Sequence, residues 1–210
     1  MQDVQEQSGG LRARKREATR RAVQAAAFAL FHARGFEAVT LDDIAAAAEV
    51  SRRSLFHHFR SKEDIVFSAK GSFEAELRAA VAAQPAGESV MRMAEGALKS
   101  LGAAWRGREP RALAQLIHDT PALRAGDQAK YESLERGLAD ALAERAGLPS
   151  DALGPRMAAV ATVGVLRVAT ERWLASPDAG EGPLPHGEAA FAALHEAVCG
   201  EATRTGSRRP

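Results

Sequence analysis

The sequence predicts an all-α chain built in two parts. Apolar residues recur at spacings of three and four through almost every segment, and no stretch alternates apolar with polar as a strand would. Alanine is abundant while aromatics make up only 5%, which suits closely packed helices. At 210 residues the chain allows one large or two small domains, and a hydrophobic content of 46% is ordinary for a folded soluble protein. No internal repeat is present.

Residues 1–10 are polar, rich in Gln, Ser and Gly, and are expected to be a disordered tail. A basic segment then runs into a first helix with the stripe Val23, Ala27, Leu30 and Phe31, which Gly35 ends. Thr40 is a good N-cap, and Asp43 three residues later completes a capping box. Leu41, Ile44, Ala45 and Ala48 follow at helical spacing, with Asp42 and Asp43 in the first turn, where the helix dipole favours anions. Glu49-Val50 breaks the rhythm. Ser51 caps a further helix with Leu55 and Phe59 on one face, and Ser61 with Asp64 opens the next. Phe36, Ile44, Leu55 and Phe59 read as core. Arg52, Arg53 and His57 are left on the polar side. This is the layout of a helix-turn-helix, in which one helix braces and the second presents polar side chains to the DNA major groove.

Charge supports that reading. Residues 11–62 carry eleven Lys and Arg against five Asp and Glu, a net +6, so the rest of a chain of net charge +1 carries −5. A basic head on an acidic body is what a phosphate-binding module joined to a separate body shows.

The chain is therefore divided into the tail 1–10, a helix-turn-helix domain over 11–62, a connecting helix over 63–84, a helical body over 85–201 and a second disordered tail over 202–210. The connecting helix carries Ile65, Val66, Ala69, Phe73 and Leu77. Gln84-Pro85-Ala86-Gly87 is the clearest break. In the body, Val90, Met91, Ala94, Leu98 and Leu101 form one amphipathic helix ending near Trp105. Gly107–Pro110 is a turn, and Pro110 suits the first position of a helix carrying Leu113, Leu116 and Ile117. Thr120-Pro121 interrupts it. A long helix follows from about Gly126 to Ala146, with Tyr131, Leu134, Leu138 and Leu142 on one side and Gly147 as its stop. From Met157 to Val168 nearly every side chain is apolar or small, and a helix apolar on all sides must be buried on all sides. In so small a body this points to a partner chain. After the loop Ser176–Pro185, a last helix repeats the pattern with Phe191, Leu194 and Val198. Val160, Val163, Gly164, Val168, Trp173, Phe191, Leu194 and Val198 are the expected homodimer interface.

The stretch from Gly35-Phe36 through Thr40, Ile44-Ala45, Ala48, Val50-Ser51 and Leu55-Phe56-His57-His58-Phe59 to Lys62 resembles the DNA-binding domain of the TetR (tetracycline-repressor) family. Two residues depart from its pattern. Glu49 stands where the family usually has Gly, at a helix end that often needs a left-handed backbone, where a non-Gly residue costs about 1–2 kcal/mol. Phe56 stands where Tyr is common and lacks the hydroxyl that would reach a phosphate. The resemblance implies an N-terminal three-helix DNA-binding domain followed by a ligand-binding and dimerisation body. It also implies phosphate contacts from Thr40 and Lys62 at helix N-termini.

Double-stranded DNA is thus the expected partner. Arg52 and Arg53 are the candidates for base edges, since Arg paired to guanine is the commonest specific contact. Ser51, Ser54, His57 and His58 suit phosphates, and the arm Arg14, Lys15 and Arg16 suits backbone or minor groove. A two-fold dimer implies a palindromic operator. The resemblance further implies a small, largely apolar effector that releases the operator of a repressor. Phe73, Met91, Met93, Leu98, Leu101, Trp105, Leu116 and Tyr131 are its candidate lining, with His118 and Arg167 as polar contacts. An Arg within an apolar helix must find a partner, either Glu171 one turn on or an anionic ligand group.

No cofactor is expected and no enzyme is predicted. His195 and Cys199 share a helix face without further metal ligands. Ser54 with His57 and His58 lacks an ordered acid and an oxyanion site, and no glycine-rich phosphate loop occurs. No leader or membrane-length apolar run is found, so a cytoplasmic location without membrane contact is the default. The rival reading is a helical small-molecule-binding protein or enzyme with a vestigial DNA-binding head.

Overall fold

Every element of the computed structural model is an α-helix, and no strand occurs among the described residues. These are residues 2–68, 73–105, 111–176 and 182–204, with side chains described for 14–68, 73–102, 111–176, 182–183 and 186–198. In order the helices are α1 (Gln2–Arg34), α2 (Leu41–Ala47), α3 (Arg52–His58), α4 (Lys62–Ser68), α5 (Phe73–Ala82), α6 (Val90–Trp105), α7 (Arg111–Asp119), α8 (Pro121–Ala146), α9 (Leu153–Ala175) and α10 (Leu184–Arg204). They form two compact units, residues 1–71 and 72–210. The division falls inside the stretch that the sequence assigns to one connecting helix.

In the first unit α1 packs on α2 and α4, and α2 on α3. Val23, Ala27, Phe31, Ile44, Leu55, Phe59, Ile65 and Val66 are all buried. Each large apolar side chain so buried contributes about 1.5–3 kcal/mol, which is how a domain with such short helices holds together. The Phe31 and Phe36 rings meet tilted, 4.9 Å between centres, and close the corner between α1 and α2.

The second unit is organised around α9, which packs against α6, α8 and α10. Its core joins Phe73, Leu77 and Val81 of α5 to Met93 and Leu98 of α6, Leu134, Leu138 and Leu142 of α8, Ala159 and Val163 of α9, and Phe191 of α10.

Two boundaries differ from the sequence expectations. Helix α1 begins at Gln2, running back through the expected disordered tail. Gln2, Gln5, Glu6 and Gln7 are good helix formers, and no proline interrupts the ladder before Arg34. Helix α8 starts at Pro121 rather than near Gly126. Proline fits a first helical position because its missing N–H has no intrahelical acceptor there, so Thr120-Pro121 opens the helix. Of the expected connecting helix over 63–84, α4 and α5 are described, and residues 69–72 lie outside the described residues. The Gly107–Pro110 turn, residues 177–181 of the expected loop, residues 205–210 of the expected tail, and the side chains of Trp105 and Cys199 also lie outside them.

Candidate nucleic-acid interface

Helices α2 and α3 are seven residues each, too short to persist alone, and capping fixes where they begin. Thr40 Oγ1 accepts from the Asp43 N–H at 3.1 Å, and the Asp43 carboxylate accepts from the Thr40 N–H at 2.9 Å. The Thr40 hydroxyl also donates to that carboxylate at 2.7 Å. Hydrogen bonds from the Thr40 side chain and backbone, with Arg34 nearby, hold the Asp43 carboxyl below the usual carboxylate range. Ser51 Oγ caps α3 through the Ser54 N–H at 3.1 Å, and Ser61 Oγ accepts from the Asp64 N–H at 3.1 Å at the start of α4.

The turn between α2 and α3 is a Schellman motif. The Val50 N–H donates to the Ala45 carbonyl at 3.0 Å and the Glu49 N–H to the Ala46 carbonyl at 3.2 Å. Glu49 occupies the left-handed position with φ +54°, as the departure from the family pattern implied. That turn sets α3 across the end of α2 and exposes the polar side of α3.

Arg52, Arg53, Phe56 and His57 are exposed on α3, Ser51 is exposed at its cap, and Ser54 and His58 are half-buried. Arg52 Nη1 lies 3.0 Å from Asp42 Oδ2, and its guanidinium stands 5.5 Å from the centre of the Phe56 ring. Arg53 has no partner among the described residues. The His57 and His58 rings meet edge-on at 5.4 Å. Burial lowers the His58 pKa, and His57, Arg16 and Arg20 lower it further, so the neutral imidazole is favoured in the absence of a bound anion. Arg14, Lys15 and Arg16 are exposed on α1.

Thr40 is exposed beside the α2 N-terminus. Lys62 is half-buried. Its Nζ donates to the Phe36 carbonyl at 2.7 Å and sits 4.5 Å from the centre of the Phe36 ring, so Lys62 also ties α4 to the α1–α2 corner. Asp42 was missing from the sequence assignment. An acid in a first turn has a sufficient local explanation in the helix dipole, and its pairing with Arg52 needs the turn geometry to be seen.

The residues assigned to a ligand divide. Phe73, Met93, Leu98 and Leu101 are buried together in the core, with Met91 and Tyr131 half-buried against it. Leu116 and Arg167 are half-buried, whereas His118 is exposed at the end of α7. Two surface clefts of about 460 and 520 Å³ are lined by none of these residues.

The residues assigned to a dimer interface divide as well. Val160, Val168 and Val198 are exposed, Gly164 and Leu194 are half-buried, and a Cβ added at Gly164 would meet nothing within 4 Å. Val163, Trp173 and Phe191 instead lie 1–2% exposed in the chain's own core. They fall on the side of their helices that packs against neighbouring helices of the same unit. Leu153 and Met157, exposed at 75% and 61%, extend the outward stripe at spacings of three and four. That spacing is legible in the sequence, yet nothing local separates the outward face from the inward one when both are apolar.

Among the described residues no group of three His, Cys, Asp or Glu is placed to hold a metal, and no helix is long and apolar enough to cross a membrane. His195 is exposed, 4.0 Å from Glu95.

Comparison with known proteins agrees with this architecture. The family model for bacterial regulatory proteins of the tetR family matches residues 24–69, and that for the MftR C-terminal domain matches residues 88–199. The HTH-type transcriptional regulator TcmR of Streptomyces glaucescens is 32% identical over 178 residues, covering 80% of this chain and 79% of that protein. Among solved structures, SmeT in complex with triclosan superposes with a TM-score of 0.60 at 18% identity, covering 86% of this chain and 91% of that one. NalD, the secondary repressor of the MexAB-OprM multidrug efflux pump in Pseudomonas aeruginosa, gives 0.60 at 20% identity, covering 86% and 95%. The body's family model alone spans more than half of the chain and the head carries the tetR model, so this protein belongs to the TetR family of DNA-binding transcriptional regulators and is not an enzyme.

Proposed function

We propose that the protein is a homodimeric repressor that binds a palindromic operator and releases it on binding a small, largely apolar molecule. The outward apolar stripe of α9 carries the dimer. Leu153, Met157, Val160 and Val168 expose 42–75% of their surface on one face of a well-packed helix. Such a contiguous patch is rarely left in water. A two-fold axis through it pairs two recognition helices, and paired heads require two half-sites.

Within each head, Arg52 and Arg53 read bases, while Thr40, Ser51, Ser54, His57, His58 and Lys62 hold phosphates. Phe56 packs beside the strand without donating to it. Arg14, Lys15 and Arg16 follow the backbone or minor groove. The body holds the effector beside Met91, Leu116 and Tyr131, with Phe73, Met93, Leu98 and Leu101 forming the wall behind. An effector controls the operator only if it binds one separation of the heads better than the other.

Binding to labelled fragments from beside the protein's own gene, at two salt concentrations and against random DNA, tests this reading. Selective binding that weakens steeply with salt is expected, because phosphate contacts release counterions. Arg52→Ala and Arg53→Ala should weaken operator binding far more than random binding, and equal losses on both would make them phosphate contacts. Compounds that release the operator identify the effector class. Equal binding to every fragment in a genome-wide selection would exclude a sequence-specific repressor.

A further inference from the structure

Arg167 is out of place by its chemistry. It stands in α9 after the apolar run Met157–Leu166 and is half-buried. Its Nε is fully buried and has no hydrogen-bond partner. The guanidinium carbon lies 4.9 Å from the centre of the Tyr131 ring on α8, a cation–π contact. Glu171, one turn on, is exposed and forms no ion pair with it, and no other carboxylate among the described residues comes within 4.0 Å. Leu166 and Tyr131 both pack against the core, so the charge is held at the edge of apolar surface.

Within one chain a guanidinium held this way lacks its usual complement, although Arg167 lies seven residues from Val160 at the edge of the outward stripe. A guanidinium carrying a buried, unpaired N–H is usually paired, and its planar fork presents N–H groups in the geometry that a carboxylate or sulfonate accepts. The second orphaned polar atom of α9, Thr162 Oγ1, lies about 140° away around the helix and does not share the place.

We propose that Arg167 binds the anionic group of the effector, which makes the effector an amphipathic organic anion. Its charged end pairs with the guanidinium and its apolar, flat body lies along Tyr131 and Leu166. The proposal rests on the reading of the body as a ligand sensor.

A matched pair of dyes separates the two readings in the full-length protein. The sulfonate 8-anilino-1-naphthalenesulfonate and the neutral N-phenyl-1-naphthylamine share one aromatic skeleton and differ only in the anionic group. Fluorescence titration should show the sulfonate binding roughly tenfold tighter, as expected for one buried charge-assisted pair. Arg167→Gln should abolish that preference and leave the neutral dye unchanged. Arg167→Lys should keep part of it, and remains informative if the Gln variant folds poorly. Arg172→Gln, at an exposed arginine on the same helix, should keep all of it. Equal binding of the two dyes, or a preference that survives Arg167→Gln, overturns the anion assignment and leaves the ligand-sensing reading standing. A fall in dimer mass on Arg167→Gln without any change in dye preference also overturns it and moves Arg167 to the subunit interface. Failure of both dyes to bind overturns the anion assignment together with the sensing reading beneath it.

Discussion

Arg52 Nη1 stands 3.0 Å from the Asp42 carboxylate, so the first turn of the recognition helix is tied to the first turn of the helix that braces it. Both side chains are more than half exposed, and such a pair contributes less than about 1 kcal/mol to stability. In the proposed DNA-bound state its consequence lies in orienting Arg52, because the same guanidinium also stands 5.5 Å from the centre of the Phe56 ring. Arg53, its neighbour, is held by nothing comparable.

Asp42→Ala should therefore leave the melting temperature almost unchanged. It removes a negative charge beside the proposed DNA-binding face, so affinity for random DNA should rise roughly two- to fivefold at low salt, and the gain should vanish at high salt. Affinity for the operator should rise less or fall, since the fork loses its fixed orientation. Fluorescence anisotropy on both DNAs measures the ratio, and an unchanged ratio would reduce the pair to an incidental surface contact.

Glu49 and Gly147 close the same hydrogen-bonded motif at the ends of α2 and α8, with φ +54° and +65°. Only glycine adopts that conformation without a Cβ penalty. Relief of about 1–2 kcal/mol of strain, less the extra flexibility of an unfolded glycine, should make Glu49→Gly about 0.5–1 kcal/mol more stable. Gly147→Ala should be less stable by a similar amount. Urea midpoints with unchanged slopes check both.

The capping box makes the head acid-sensitive. The Asp43 carboxyl is held below its ordinary value by hydrogen bonds from Thr40 in the folded state only. A group depressed on folding stabilises above its unfolded pKa, near 4, and that contribution is lost as pH falls through the lower folded value. Head stability should thus drop as pH falls below about 4, and Asp43→Asn should flatten that limb. Thr40→Ala removes the reciprocal bond and should cost about 1 kcal/mol at neutral pH. Circular dichroism melts across pH on the three proteins measure this.

Val160 and Trp173 belong to the same helix but to opposite environments, 42% and 1% exposed. Val160→Glu should convert a dimer to a monomer with unchanged helix content, seen by light scattering, and weaken operator binding. Trp173→Ala should destabilise the chain by about 3–5 kcal/mol through the cavity it leaves. If Val160→Glu remained dimeric at micromolar concentration, the α9 stripe would not be the interface.

By itself the sequence determined the all-α class, the cap positions at Thr40, Ser51 and Ser61 and the helix-turn-helix, while the left-handed position at Glu49 followed from the resemblance to the family. The features legible in the residues themselves rest on short-range physics, namely a side chain reaching a backbone N–H three residues on or an apolar stripe of period 3.6. Tertiary structure alone decided which face of the apolar α9 turns inward, putting Trp173, Val163 and Phe191 in the core and leaving Leu153 and Met157 outside. It also decided that Lys62 ties to the Phe36 carbonyl, that Asp42 holds Arg52 and that Arg167 lies over Tyr131 without a partner for its Nε. These depend on residues brought together from 10 to 36 positions apart, and no local pattern of charge or hydrophobicity encodes which of several equivalent neighbours the fold will supply.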